Sequence, residues 1–206
     1  MRLRQLSLLV GLLIACKKDP EPPSSSPFLA PPKSEAKAAP AAAPLDSQTV
    51  PAALPMGVTW EDPPAFQRVD SNNPMRKATY RVPRAKGDAE DGQLAVFYFG
   101  PGQGGSIDDN VDRWIKQFTE IKPSEVRRAD RQANGLRQHT IEIERGTFSS
   151  GMPGGPTQPK AGYGLLGGIV TAPSGVYFFK MTGPSATVKA AHKPFFALLD
   201  SVKVSS

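Results

Sequence analysis

The sequence contains a single cysteine, Cys16, and only two histidines among its 206 residues. One cysteine excludes an intramolecular disulfide and any metal site built from several cysteines. Long apolar runs are also lacking. The most apolar stretch, Leu6–Ile14, is too short to cross about 30 Å of hydrocarbon as a helix. No membrane-spanning helix is therefore predicted from this stretch.

A strong charge of one sign is lacking as well. The formal net charge of +6 includes Arg2 and Arg4 near the amino terminus, and residues 17–55 are balanced. Residues 56–206 keep only a mild basic excess, whereas nucleic-acid binders concentrate basic residues on one face. No stretch supplies the nucleophile, base and orienting group of an enzyme. We therefore expect no nucleic-acid partner, no catalytic residue, no metal site and no cofactor.

The first 15 residues, MRLRQLSLLVGLLIA, place two arginines before an apolar stretch and end on a small residue. This order is typical of a secretion signal. The following junction, Leu13-Ile14-Ala15-Cys16, resembles the lipobox of bacterial lipoproteins. The resemblance implies cleavage before Cys16, attachment of a diacylglycerol to its thiol, and acylation of the new amino terminus by a chain such as palmitate.

A lipobox also implies a location. The chain is expected in the cell envelope, held on a membrane by the lipid on Cys16 and facing the periplasm or the exterior. Lys17 follows the cysteine, where aspartate is the usual signal for retention in the inner membrane. This favours the outer membrane over the inner one.

Residues 16–55 are rich in proline and alanine and show no apolar periodicity. Such a segment cannot bury enough surface to offset its ordering entropy, so we expect a disordered linker. Fully stretched at about 3.1 Å per residue, the part after Cys16 would reach about 120 Å. Two interpretations stay open: the linker lifts the folded domain off the bilayer, or it is a passive spacer.

Residues 56–206 are predicted to form one globular α+β domain. Met75–Val82 and Leu94–Phe99 have the pattern of strands, and the second is apolar on both faces, as in a central strand. Ser106–Phe118 carries apolar residues at helical spacing after a serine cap. The order of elements favours a mostly antiparallel sheet with helices packed on it.

The dipeptide Asn134-Gly135 predicts a hairpin over Glu125–Glu144, with Ala133 opposite Leu136 and a tip that protrudes into solvent. This register places His139 opposite Asp130 as a surface pair. A second hairpin is predicted across residues 173–175. The final helix, Ser185–Val202, is predicted to break at Pro194, which leaves His192 near a helix end.

Several stretches together resemble an uncharacterised family of exported bacterial proteins, over about residues 56–204: MRKATYRVP, GDAEDGQLAVFYFGPGQGGSIDDNVDRWIKQF, GYGLLGGIVTAPSGVYFFKMTGP and FFALLDSVK. The order of elements is also similar to PsbP-like domains. That resemblance implies an αβα sandwich of a kind found in photosystem accessory proteins and envelope lipoproteins, mostly assembly modules without catalysis. Neither resemblance transfers a catalytic residue.

Two motifs are candidate interaction surfaces. Residues 100–105 match G-x-G-x-x-G between a strand and a helix, although no parallel βαβ unit follows, as dinucleotide binding requires. The motif predicts a tight turn that folds the helix back on Phe97 and Phe99. The alternative is ligand binding by the exposed amides of Gly102, Gly104 and Gly105.

The second motif is a group of arginines near the predicted hairpin tip: Arg127, Arg128, Arg131 and Arg137. These side chains either extend into solvent or contact an anionic surface, such as a lipid headgroup or an acidic partner. The expected function is a non-catalytic binding or assembly module with an envelope protein as a possible partner. The alternatives are a small-ligand or metal carrier and an envelope enzyme.

Overall fold

An antiparallel sheet of eight strands forms the centre of the computed structural model, which describes residues 57–149 and 158–205. The strands are β2 Gln67–Val69, β3 Arg76–Val82, β4 Gly92–Tyr98, β5 Phe118–Thr119, β6 Val126–Ala133, β7 Leu136–Phe148, β8 Lys160–Ala172 and β9 Gly175–Pro184. Along the sheet their order is β2-β3-β4-β9-β8-β7-β5, and β6 also pairs with β7. A 3₁₀ turn, Pro123–Glu125, precedes β6.

Helix α1, Ile107–Lys116, covers one face of the sheet. The Ser106 hydroxyl accepts a hydrogen bond from the Asp109 amide at 3.1 Å, and this contact caps the helix start. Val111 and Trp114 pack into a core with Phe118, Ile141, Ile143, Phe148, Tyr163, Leu165, Ile169 and Phe178. The predicted helix and its serine cap are therefore confirmed.

Helix α2, Ser185–Ser201, covers the opposite face. Its buried side chains join a second core with Tyr80, Leu94, Val96, Leu166, Phe179 and Met181. Two glycines in β8 allow the helices to approach the sheet closely. A Cβ at Gly167 would lie 2.5 Å from Trp114 of α1, and a Cβ at Gly168 would lie 2.7 Å from Leu199 of α2. The α+β class and the mostly antiparallel sheet predicted from the sequence are confirmed.

The predicted break at Pro194 is wrong, because α2 continues through this proline to Ser201. Proline removes one backbone donor from a helix. Phe195, Leu198 and Leu199, which directly follow it, are completely or almost completely buried. Burial of this apolar face opposes the local cost of the proline. His192 consequently lies inside α2 and not at its end.

The β6–β7 hairpin has the predicted register, with Ala133 opposite Leu136 and Asp130 opposite His139. Asn134 and Gly135 at its tip are exposed to solvent, but the tip does not stand free of the domain as predicted. The Asn134 side-chain amide donates to the carbonyls of Asp200 and Val202 at 2.8 and 2.9 Å. The hairpin tip thus satisfies carbonyls at the carboxyl end of α2, where intrahelical donors are absent.

Residues 57–60, where the described part of the chain begins, contact the rest of the domain at two points. Strand β1, Val58–Thr59, pairs antiparallel with β10, Lys203–Val204. The Trp60 indole then packs edge-on against Phe179, with ring centroids 5.4 Å apart, and donates to the Tyr80 hydroxyl at 2.8 Å. Within residues 57–149 and 158–205, no helix combines the length and apolarity needed to cross a membrane.

Candidate functional site

A groove of about 770 Å³ runs between the first half of α2 and the strands β6 and β7. We call it the α2 groove. Leu166 and Val188 supply apolar lining, and charged residues of both signs surround it. The lining residues are Glu125, Arg127, Glu142, Ile143, Glu144, Arg145, Leu166, Ser185, Ala186, Val188, Lys189, Ala190, His192 and Lys193.

Glu142 of β7 joins the two walls of this groove. One of its oxygens lies 3.0 Å from an Arg127 guanidinium nitrogen and 3.1 Å from His192 Nε2 of α2. Arg127 also bonds Glu144, and hydrogen bonds to Glu142 and then Glu144 hold the pKa of Arg127 above its ordinary value. Charged hydrogen bonds thereby connect strands β6 and β7, and His192 brings α2 next to the same carboxylate.

All three acidic residues of the groove have partners within the chain. Glu142 and Glu144 bind Arg127, while a Glu125 carboxylate oxygen accepts from the Lys122 amide at 3.0 Å. Arg145, Lys189 and Lys193 form no ion pair within the described residues. The groove therefore combines apolar lining with three cationic groups that have no counter-charge in this part of the chain.

The four arginines predicted as one surface lie in different surroundings. Arg127 is bound to Glu142 and Glu144, Arg128 lies 3.0 Å from Asp112 of α1, and Arg131 pairs with Asp200 of α2. Arg131 also lies over the Phe196 ring, 5.3 Å from its centroid. Of these four arginines, Arg137 alone forms no ion pair with another described residue. Arg128 contacts one helix and Arg131 the other, so these arginines do not form one patch.

The glycine loop at residues 100–105 packs against aromatic rings. A Cβ at Gly104 would lie 2.8 Å from Phe178 and 3.0 Å from Phe99, and its φ is +98°. Asn110 of α1 donates to the Gly104 carbonyl at 2.8 Å. These contacts match the tight turn predicted from the motif, and Phe97 and Phe99 pack against the core that contains Val111 and Trp114 of α1. Gly102 and Gly105 are exposed at the surface of the same loop.

The pair His139–Asp130 has the predicted cross-strand geometry, with His139 Nδ1 2.5 Å from a carboxylate oxygen. The acidic turn at residues 87–92 directs its carboxylates to separate partners. Asp88 accepts from Thr187 at the start of α2, Asp91 pairs with Arg81, and Glu90 pairs with Lys160. No group of three potential metal-ligating side chains occurs in residues 57–149 or 158–205.

Lys180 of β9 is a residue that the sequence did not single out. Its ammonium group lies beneath α1, 5.9 Å from the Trp114 ring centroid and 5.6 Å from that of Phe148, and it donates to the Gln117 side chain. Burial, with a smaller contribution from Arg113, lowers the pKa of Lys180 to about 8. No local pattern marks such a residue, because its surroundings come from distant elements.

Leu13, Ile14, Ala15 and Cys16 lie outside the described residues, as does the linker through residue 55. The lipidation site and the linker therefore stay predictions.

No family model and no curated protein matches the chain. Among solved structures, it is similar to the solution structure of cyanobacterial PsbP (CyanoP) from Synechocystis sp. PCC 6803. The two share 13% sequence identity and a TM-score of 0.43, over 78% of this chain and 99% of that one. No residue role follows from this similarity.

Proposed function

We propose that this chain is a lipid-anchored binding or assembly module of the bacterial cell envelope. The observation that carries the proposal is the position of its only cysteine. Cys16 directly follows Leu13-Ile14-Ala15, at the end of an apolar stretch that Arg2 and Arg4 precede. A lipid on Cys16 would hold the domain at a membrane, where several acyl chains give durable attachment. The α2 groove supplies a concave surface for a partner.

Metabolic labelling with an alkyne analogue of palmitate tests the anchor. The native chain should take up the label and sediment with membranes, whereas the Cys16→Ala chain should do neither. A conservative control, Ser7→Ala, alters the signal without touching the lipid acceptor and should be labelled normally. Equal labelling of the Cys16→Ala chain would refute anchoring at this residue.

Crosslinking in living cells, followed by affinity purification, tests the binding role. We expect an envelope protein in near-stoichiometric yield with the native chain and little with Cys16→Ala. If both chains capture nothing above the background of an unrelated lipoprotein, the assembly role is wrong.

A small-ligand carrier is the second candidate, and the volume of the groove favours it, since small-molecule sites range from about 300 to 1,000 Å³. Calorimetric screening of the purified full chain against envelope metabolites distinguishes the two functions. Saturable binding of a small molecule, without a crosslinked protein, would favour the carrier.

A further inference from the structure

We infer that the α2 groove is the docking site for an acidic segment of a partner protein, held by Lys189, Lys193 and Arg145. This inference rests on the proposed binding function and specifies the chemistry of its partner.

The first step is the arrangement of the cations. Lys189 and Lys193 are four residues apart in α2, so both side chains emerge on the same side of the helix and line the groove. Like charges at this spacing destabilise a helix. Arg145 of β7 adds a third cation from the opposite wall. Carboxylates bound between the walls would relieve this repulsion.

The second step is the neutralisation of the local acids. Arg127 binds Glu142 and Glu144, and His192 Nε2 lies 3.1 Å from the same Glu142 oxygen that Arg127 contacts. The acidic side chains are therefore engaged at the strand wall and do not compete for the lysines within the described contacts. Charge complementarity thus favours an anionic occupant.

The third step distinguishes a protein segment from an anionic membrane. Between Ser185 and Lys193 the helix wall extends about 12 Å, the length of about four extended residues. A chain can enter such a concave space and reach Leu166 and Val188 with an apolar side chain. A flat bilayer surface cannot enter this space.

The test uses the purified full-length protein in detergent and a fluorescent peptide that alternates glutamate with leucine. A peptide with lysine in place of glutamate is the ligand control. Anisotropy should show saturable binding of the acidic peptide alone, weakening as salt rises. The Lys189→Gln/Lys193→Gln variant should bind about fivefold to tenfold more weakly.

The matched variant Lys86→Gln/Lys203→Gln removes the same charge from exposed lysines outside the groove and should bind as the native chain does. Equal binding by the groove variant, or equal binding of the lysine peptide, would overturn the inference. Binding to phosphatidylglycerol vesicles without binding to the acidic peptide would also overturn it, in favour of a membrane contact.

The groove variant also separates this inference from the proposed function. If it captures the same crosslinked partner in the same yield as the native chain, the partner docks elsewhere and only the groove assignment fails. If neither chain captures a partner, the assembly role fails, while the peptide titration still reports on the groove.

Discussion

Lys180 places an ammonium group between the rings of Trp114 and Phe148, with an amide oxygen of Gln117 as its hydrogen-bond acceptor. No carboxylate pairs with it in the described residues. Folding therefore removes much of the water around this charge without supplying an opposite charge. The consequence is a protein whose stability depends on the protonation of one lysine.

This predicts a stability that rises with pH between about 8 and 10.5. The folded chain releases the Lys180 proton at about pH 8, whereas an unfolded lysine holds it to 10.5. The unfolded state binds more protons in this window, so the free energy of unfolding increases by up to about 3 kcal/mol. Urea denaturation of Lys180→Met should lack this rise and show greater stability than the native chain at neutral pH. Equal pH profiles would contradict the prediction.

Gly104 and Gly102 provide a matched pair in one loop. Alanine at Gly104 would meet the Phe178 ring and adopt an unfavourable positive φ, whereas Gly102 has no neighbour within 4 Å of its Cβ position. We expect a loss of about 2–4 kcal/mol for Gly104→Ala and about 1 kcal/mol for Gly102→Ala. Thermal unfolding measures both. Equal losses would show that backbone conformation alone, and not ring packing, requires these glycines.

At the scale of elements, the β6–β7 hairpin and α2 stabilise each other. The hairpin supplies the Asn134 amide to the carboxyl end of α2, while Gln138 of β7 donates to the Leu199 carbonyl at 2.7 Å. Arg131 adds an ion pair with Asp200. The turn is therefore part of the helix cap, in addition to joining two strands.

Asn134→Gly tests this role, because glycine keeps the positive φ of the turn and removes only the capping amide. The free energy of unfolding should fall by about 1–2 kcal/mol, the worth of hydrogen bonds to carbonyls otherwise left without a donor. Hydrogen exchange should increase in the last turn of α2. Unchanged hydrogen exchange in the last turn of α2, whatever the effect on stability, would show that Asn134 does not cap the helix.

The same hairpin separates what the sequence could predict from what it could not. Its register follows from Asn134-Gly135, because two-residue turns are determined by local backbone conformation. Its docking on α2 depends on residues more than 60 positions away and leaves no local pattern. Pro194 failed as a helix breaker for a related reason: burial of Phe195 and its neighbours overrides the local preference.

The sequence did not predict the α2 groove either, because contacts between distant residues form it. Glu142 and His192 are 50 positions apart, and only the packing of α2 against β7 brings them to 3.1 Å. The arginine cluster was visible in the sequence, but its separate ion pairs with Glu142, Asp112 and Asp200 were not. Alternation along strands predicts faces; it does not predict which helix will cover them.

At the scale of the whole molecule, the sandwich explains why both faces of β8 are apolar. Leu166 faces one core and Leu165 the other, since α1 and α2 cover opposite sides of the sheet. The continuous apolar pattern of Leu94–Phe99 has the same cause. The sequence therefore predicts the fold class from two patterns: central strands that are apolar on both faces, and apolar residues at helical spacing in two helices.

The linker hypothesis also belongs to this scale. Deletion of residues 22–41 would shorten the stretched limit by about 60 Å. If reach matters, crosslinking to the proposed envelope partner should fall sharply while palmitate labelling stays normal. Replacing the same residues by glycine and serine keeps the length and should preserve most of the capture. Full capture by the deleted chain would favour the passive spacer.

The pairing of β1 with β10 has a mechanical consequence. A pull that reaches the folded domain along the chain at Gly57 is resisted first by this two-residue ladder. The next resistance is the Trp60 ring, which is held by Phe179 and Tyr80. We therefore expect the entrance of the domain to yield in two steps under tension. The first step would leave the eight-stranded sheet and the α2 groove intact, so tension at Gly57 would be absorbed before the groove distorts.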